Sequence, residues 1–404
     1  MFDHTLPLQE SEEAHKLRKN KVTILASEWA QYRGGLSTVN RELAIQLAKY
    51  LDVEVTFLVP KCSGDDKSAA LCHNIKIVEA IHCFKELDWL FVPPAHLEID
   101  IVVAHGVKHG RQANVIRDSK KCKWIQVVHT VPELVSKGED KHIEEEELCR
   151  RADYVVEVGP NLSKNVHGYF HRCKVQRTVF HLMPGIFDEY KSIKPGLHET
   201  NHHRILLCGG NDAEEMELKG FNIAAKAVAE APGTWLLLVT APREKQTEIA
   251  QLSTRCGVPA GRVKLLSSFM SRERLFSEVD LVIMPSGKEG FGLTALEALS
   301  AGVPVLVSRN SGFGKALSSV PFGEFFVLDS EDPKDWAARI SSMWNKGRQK
   351  RLEEAEILRG VYGKKYQWQK QVKTILDKMT NLYLGKSYKP LLFVCCMHCL
   401  VQGK

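Results

Sequence analysis

The segment Glu289-Gly-Phe-Gly-Leu-Thr-Ala-Leu-Glu297 sets two carboxylates around a pair of glycines, directly after the strand-like run Val-Asp-Leu-Val-Ile-Met-Pro-Ser at 279–286. Gly290 and Gly292 let the backbone approach a ligand closely. The first N–H groups of a helix starting at Leu293 have no acceptor within that helix, which makes the turn an anion site suited to a phosphate. Glu297 falls among Leu293, Ala295, Leu296, Ala298 and Leu299. A carboxylate in such a run is costly to bury unless something donates hydrogen bonds to it, and sugar hydroxyls are donors of the right kind. Glu289, at the mouth of the turn, offers a second carboxylate on the same side, so that one could hold a ribose and the other a hexose. The bland alternative is a helix-entry Glu near the macrodipole and a second Glu that reaches solvent.

Such a turn needs a strand before it and a helix after it, and the whole chain has that texture. Short apolar runs that read as buried parallel strands fall at 22–27, 54–59, 99–104, 124–129 and 154–158, with helical stretches such as 36–50 and 142–152 between them. The alternation lapses over the polar stretch 193–203 and resumes with strands at 205–208, 235–240, 263–266, 281–284, 303–307 and 325–328. Helices are expected at 221–229, 243–253, 293–301 and 335–345, followed by a long charged helical stretch to Met379. The expected architecture is α/β: two doubly wound, Rossmann-like domains facing each other across a cleft, with ligands beyond the carboxyl ends of the strands. The divisions are a polar extension at 1–20, a first domain at 21–192, a linker at 193–203, a second domain with C-terminal helices at 204–385, and a tail outside the fold at 386–404.

Composition narrows the classes. With 404 residues, 26% of them charged and a formal charge of +6 spread along the chain, the protein suits an anionic small ligand. No basic run interleaved with aromatics points to nucleic acid. The first 20 residues lack the apolar core of a signal peptide, so the expected location is the cytoplasm and the 11 cysteines are read as reduced thiols. The apolar stretch 391–401 is too short to span a membrane. Cys395, Cys396, His398 and Cys399 match no standard zinc spacing, and no metal site is expected.

A strand ending in Pro-Ser, then Glu-Gly-Phe-Gly-Leu, a second Glu and finally Ala-Gly-Val-Pro-Val at 301–305 resembles the donor-binding motif of retaining GT-B glycosyltransferases of the family 4 type, the glycosyl transferases group 1. The resemblance extends to Leu266-Ser-Ser-Phe-Met-Ser-Arg-Glu-Arg-Leu275, similar to the segment bordering the nucleotide base, and to Leu218-Lys-Gly-Phe221, similar to the family's Lys-Gly motif. Gly34-Gly35-Leu-Ser resembles the glycine loop facing the donor phosphates, and Val128-His129-Thr130 the active-site His segment. It spans 21–379 and implies transfer of a hexose from a UDP- or GDP-linked sugar to an acceptor hydroxyl, with no cofactor and no essential metal. No Asp-x-Asp site is visible, and Gly64-Asp65-Asp66 reads as a plain loop. The resemblance implies that Lys219 neutralises the leaving diphosphate and Glu289 holds donor-sugar hydroxyls. By the same resemblance Glu297 holds the ribose, the backbone of Gly290, Phe291, Gly292 and Leu293 holds sugar and phosphate, His129 lines the reacting centre, and Gly35 approaches donor or acceptor.

One position departs from the family pattern. The first strand of the second domain ends Leu207-Cys208-Gly209-Gly210-Asn211, with Gly210 where relatives carry an Arg that shares the diphosphate with the Lys. Asp212, Glu214, Glu215 and Glu217 crowd the approach to Lys219, and Arg243 is the candidate replacement. The departure keeps a second function in view, a catalytically reduced fold that recognises a nucleotide sugar. A third reading, an NTPase on Gly312-Phe-Gly-Lys315, lacks the first glycine, replaced by Arg309, and the Ser or Thr, replaced by Ala316. Neither the acceptor nor the oligomeric state is legible in the chain.

Overall fold

Strands that are apolar along their whole length belong in parallel sheets covered on both faces, and the chain builds two of them. The structure is a computed structural model and describes residues 19–29, 35–82, 88–129, 139–161, 179–196, 202–208, 213–240, 246–267, 271–286 and 289–383. The first sheet comprises β1 (Asn20–Leu25), β2 (Val53–Val59), β3 (Ile75–Glu79), β4 (Ile101–His105), β5 (Lys123–Val128), β6 (Tyr154–Val158) and β7 (Val179–Leu182), in the order β3-β2-β1-β4-β5-β6-β7 and parallel throughout. Its helices are α1 (Gly35–Leu47), α2 (Gly64–Leu71), α3 (Gly106–Lys120) and α4 (Glu139–Arg151). β4 shows why the runs are continuous: Ile101 and Val103 enter one apolar layer while Val102 and Ala104 enter the other.

The second sheet repeats the plan with β8 (His203–Cys208), β9 (Thr234–Thr240), β10 (Val263–Ser267), β11 (Leu281–Met284), β12 (Val305–Ser308) and β13 (Val327–Leu328), ordered β10-β9-β8-β11-β12-β13 and parallel. Around it lie α5 (Ala213–Leu218), α6 (Phe221–Glu230), α7 (Gln246–Arg255), α8 (Arg272–Glu278), α9 (Leu293–Ser300), α10 (Gly312–Ser318), α11 (Pro333–Trp344), α12 (Arg348–Lys365) and α13 (Trp368–Tyr383). α13 leaves this sheet and docks on the first domain. Its Val372, Ile375, Leu376 and Met379 share an apolar cluster with Leu43 and Leu47 of α1 and with Phe187, and Gln371 makes hydrogen bonds of 2.6 Å with both backbone groups of Met183.

Several elements escape a reading by apolar period. β3 carries Lys76 on an exposed face and β7 is only four residues long. α3 buries His109, Gly110 and Gln112 beside Ala113 and Ile116, so its inner face has no apolar stripe to read. The expectation of a plain loop at Gly64-Asp65-Asp66 is corrected: these residues open α2, and a capping box joins Ser63 and Asp66, Ser63 Oγ accepting from Asp66 N–H and Asp66 Oδ2 from Ser63 N–H. No helix among the described residues is long and apolar enough to cross a membrane.

In both sheets the strand order reverses between the first and fourth strands in sequence, at β1/β4 and at β8/β11. A crevice opens at such a switch point beyond the carboxyl ends of the strands.

Candidate active site

At the β8/β11 crevice the backbone places the charges. Gly220 links α5 to α6 with φ 75°, and a Cβ there would lie 2.8 Å from the Pro285 carbonyl, so only glycine lets this turn rest on the end of β11. Ser286 Oγ donates to Leu218 O at 2.9 Å and locks the same contact. Lys219 is thereby aimed at the loop after β11, where its Nζ lies 2.7 Å from Glu289 Oε2. The loop then turns through Gly292 (φ 100°), which precedes α9 without a side-chain cap. Ala295 and Leu296 N–H turn back onto Gly292 O at 3.2 and 3.4 Å, which leaves the N–H groups of Leu293 and Thr294 as the donors of an anion site at the start of α9. Phe291 contributes only backbone to such a site, because its side chain is buried against Phe313.

Glu297, one turn into α9, is fully buried. Thr38 Oγ1, from α1 of the first domain, donates to its Oε1 at 2.7 Å. Arg272 Nε, from the first residue of α8, lies 3.3 Å from Oε2. That approach is outside hydrogen-bond alignment, and Oε2 has no aligned donor among the described residues. Burial pushes the Glu297 carboxyl above the usual carboxylate range while Arg272 and Thr38 pull it down. Arg272 also bears on the thiol of Cys208, the last residue of β8, which burial raises and the guanidinium lowers.

The first domain closes the crevice from the other side. A Cβ on Gly290 would stand 2.5 Å from the carbonyl oxygen of His129, so loop and strand end touch backbone to backbone. Asn161, after β6, donates through Nδ2 to Glu289 O at 2.9 Å and to Asn310 O at 3.0 Å, and Lys315 donates to its Oδ1. At the β1/β4 switch point His105 Nδ1 and His129 Nε2 are 2.7 Å apart with rings stacked at 5.0 Å, and His109 Nε2 lies 3.3 Å from Ser27 Oγ. Burial alone holds His129 down at about 4; burial, with Lys108 adding to it, holds His109 there too, and His105 falls well below its ordinary range, so all three are neutral at pH 7. Gly35 opens α1, one turn before Thr38.

The structure thus brings Lys219, Glu289, Gly290, Gly292, Leu293 and Glu297 to one crevice with His129 against it. Four further neighbours of the crevice, Thr38, Arg272, His105 and Asn161, are not singled out by the sequence. Arg272 lay within the quoted segment 266–275, and His105 sits at a strand end, the position the switch-point rule marks; Thr38 and Asn161 carried no signal. Gly34, Thr130, Gly210, Arg243 and the cysteine-rich tail from 386 fall outside the described residues. Gly312-Phe-Gly-Lys315 forms the start of α10, capped by Ser311, with Lys315 engaged by Asn161, so it is not arranged as a phosphate loop. Among the described residues no group of three or more His, Cys, Asp or Glu side chains is placed to hold a metal.

Known proteins resemble this chain in sequence and share its fold. The D-inositol 3-phosphate glycosyltransferase of Corynebacterium urealyticum is 23% identical over 317 residues, covering 71% of this chain and 72% of that one. Other proteins of that name match over less than two thirds of their length, 64% and 26% in two cases. Among solved structures, sucrose-phosphate synthase from Thermosynechococcus elongatus superposes with a TM-score of 0.69 at 17% identity, over 91% of this chain and 100% of that one. Anabaena Alr3699/HepE in complex with UDP-glucose gives 0.65 at 20% identity, over 90% and 99%. These neighbours establish the GT-B fold. Residues 23–375, which hold every crevice residue described and both sheets except the first three residues of β1, match the family described as Family 4 Glycosyltransferase in conflict systems, and the chain belongs to that family.

Proposed function

We propose that this glycosyltransferase moves a hexose from a UDP- or GDP-linked donor to an acceptor hydroxyl with retained anomeric configuration and without an essential metal. The observation that carries the reading is the Lys219–Glu289 pair, 2.7 Å apart beside the uncapped start of α9. Lys219 supplies positive charge where the diphosphate departs, and Glu289 accepts from sugar hydroxyls, each exchanging the other for the donor. The Glu297 oxygen without an aligned donor is the acceptor for a ribose hydroxyl. In the transfer the bond from C1 to the phosphate oxygen breaks and its electron pair stays on the diphosphate. The acceptor oxygen bonds to C1 on the same face, and its proton passes to the departing diphosphate. His129, neutral and against the Gly290 backbone, lines the acceptor side. A known neighbour was solved with UDP-glucose, which agrees with a UDP-linked donor. The described cysteines Cys62, Cys72, Cys122, Cys149, Cys208 and Cys256 are free thiols, which suits work in the cytoplasm.

A thermal-shift panel of UDP- and GDP-hexoses selects the donor, since a ligand that binds only the folded state raises its melting point. Nucleotide release is then followed with and without acceptors, with and without a chelator, and the product's anomeric configuration is read by NMR. Donor binding with no turnover on any acceptor would sink the transfer, and an inverted product or a rate abolished by the chelator would sink those parts of the reading.

A further inference from the structure

Each carboxylate of the donor segment faces one cation: Lys219 faces Glu289 at 2.7 Å, and Arg272 faces Glu297 at 3.3 Å. Glu289 stands in the loop that leads into α9 and Glu297 one turn inside it, so the two cations flank the same helix start, and two positive charges, not one, stand beside the donor segment. Gly210, two residues past the end of β8, carries no charge. The Arg272 side chain keeps 15% of its surface exposed although its partner Glu297 keeps none. It meets Glu297 through Nε, whereas phosphate is taken by the terminal edge of a guanidinium.

We infer that Arg272 supplies the second positive charge to the departing diphosphate, in place of the arginine absent at Gly210, and that Glu297 aims it. The inference rests on the proposed function. As the C1–O bond breaks, the electron pair left on the diphosphate adds negative charge, and a second fixed cation lowers the energy of that charge more than it lowers the ground state. Nothing else is consumed or oxidised in the step. Glu297 then has two duties: one oxygen meets the ribose and the same carboxylate sets the direction of the guanidinium.

The test uses the full chain and its selected donor, with variants R272Q, R272K, R243Q and the double variant R272Q/G210R. R272Q is expected to lower kcat about 10²-fold, the loss typical of removing one electrostatic stabiliser, with a smaller change in donor KM. R272K, which keeps the charge without the fork, falls less and melts like the wild type. G210R in the R272Q background recovers part of the rate. In titrations, R272Q loses affinity for UDP or GDP but not for uridine or guanosine. The inference is overturned by an R272Q enzyme with wild-type kcat, by R243Q alone showing the loss, or by equal losses of nucleoside and nucleoside diphosphate affinity, which would mean that Arg272 acts only through Glu297 on the ribose. A wild-type protein that turns over no donor removes the proposed function itself, whereas turnover that R272Q leaves unchanged removes only this role for Arg272.

Discussion

The two domains present crevices at equivalent points of the same topology but fill them with opposite chemistry. At the β1/β4 switch point His105 and His109 are buried, His129 is half-buried, and all three are neutral at pH 7. At the β8/β11 switch point Lys219, Glu289, Arg272 and Glu297 form two cation–carboxylate pairs. A doubly wound sheet decides where a crevice opens, and the side chains at the strand ends decide what enters it. A charged crevice suits a diphosphate, and a neutral, hydrogen-bonding one suits an acceptor hydroxyl, whose proton must leave without being trapped by a strong base. The crevices meet where Gly290 lies against the carbonyl of His129, so donor and acceptor would share one wall.

This contrast is open to direct attack, and the largest effect is expected on the charged side. Lys219→Ala should cut turnover by about 10²- to 10³-fold, and His129→Ala by less; steady-state kinetics on the selected donor rank the two, and a larger loss at His129 would invert the comparison. Gly290→Ala sets a methyl 2.5 Å from the His129 carbonyl and should cost about 1–3 kcal/mol as the crevices are forced apart, measurable by urea unfolding together with weaker donor binding. Thr38→Val takes the donor from a fully buried carboxylate oxygen and should also cost about 1–3 kcal/mol. Asn161→Ala loosens the clasp on the donor loop by about 1 kcal/mol and should raise donor KM more than it lowers kcat.

The neutral side is probed by pH. His109 and His129 are depressed to about 4 from 6.5, so the unfolded chain takes up protons first as the pH falls. Their contribution to stability is complete above 6.5 and is lost progressively between 6.5 and 4. Glu42 and Glu157, pushed up to about 7 chiefly by burial, work in the opposite sense: their contribution is complete below 4.5 and is lost as the pH rises through 7. Wild type alone therefore reports a sum. His109→Gln removes one imidazole and should lower the slope of unfolding free energy against pH between 4 and 6.5 by up to about one proton; an unchanged slope would show that His109 takes up its proton alike in the folded and unfolded chain.

The sequence by itself determined the alternation of strands and helices, the two doubly wound units, the glycine turn after β11 and the carboxylates flanking it. All of these depend on residues a few positions apart, whose neighbours are set by the 2.0 and 3.6 periods of strand and helix. It did not determine α3, whose buried face is polar, or β7, too short to show a period. The partners of the carboxylates were settled only in three dimensions. Lys219 and Glu289 are 70 residues apart, and Thr38 and Glu297 are 259. No local period connects such pairs. They meet because the strand order β10-β9-β8-β11 sets the ends of β8 and β11 side by side, and because the first domain, held by α13 and Asn161, brings α1 against α9. A buried carboxylate must find a donor somewhere, and the tertiary fold decided that for Glu297 it is a threonine of the other domain.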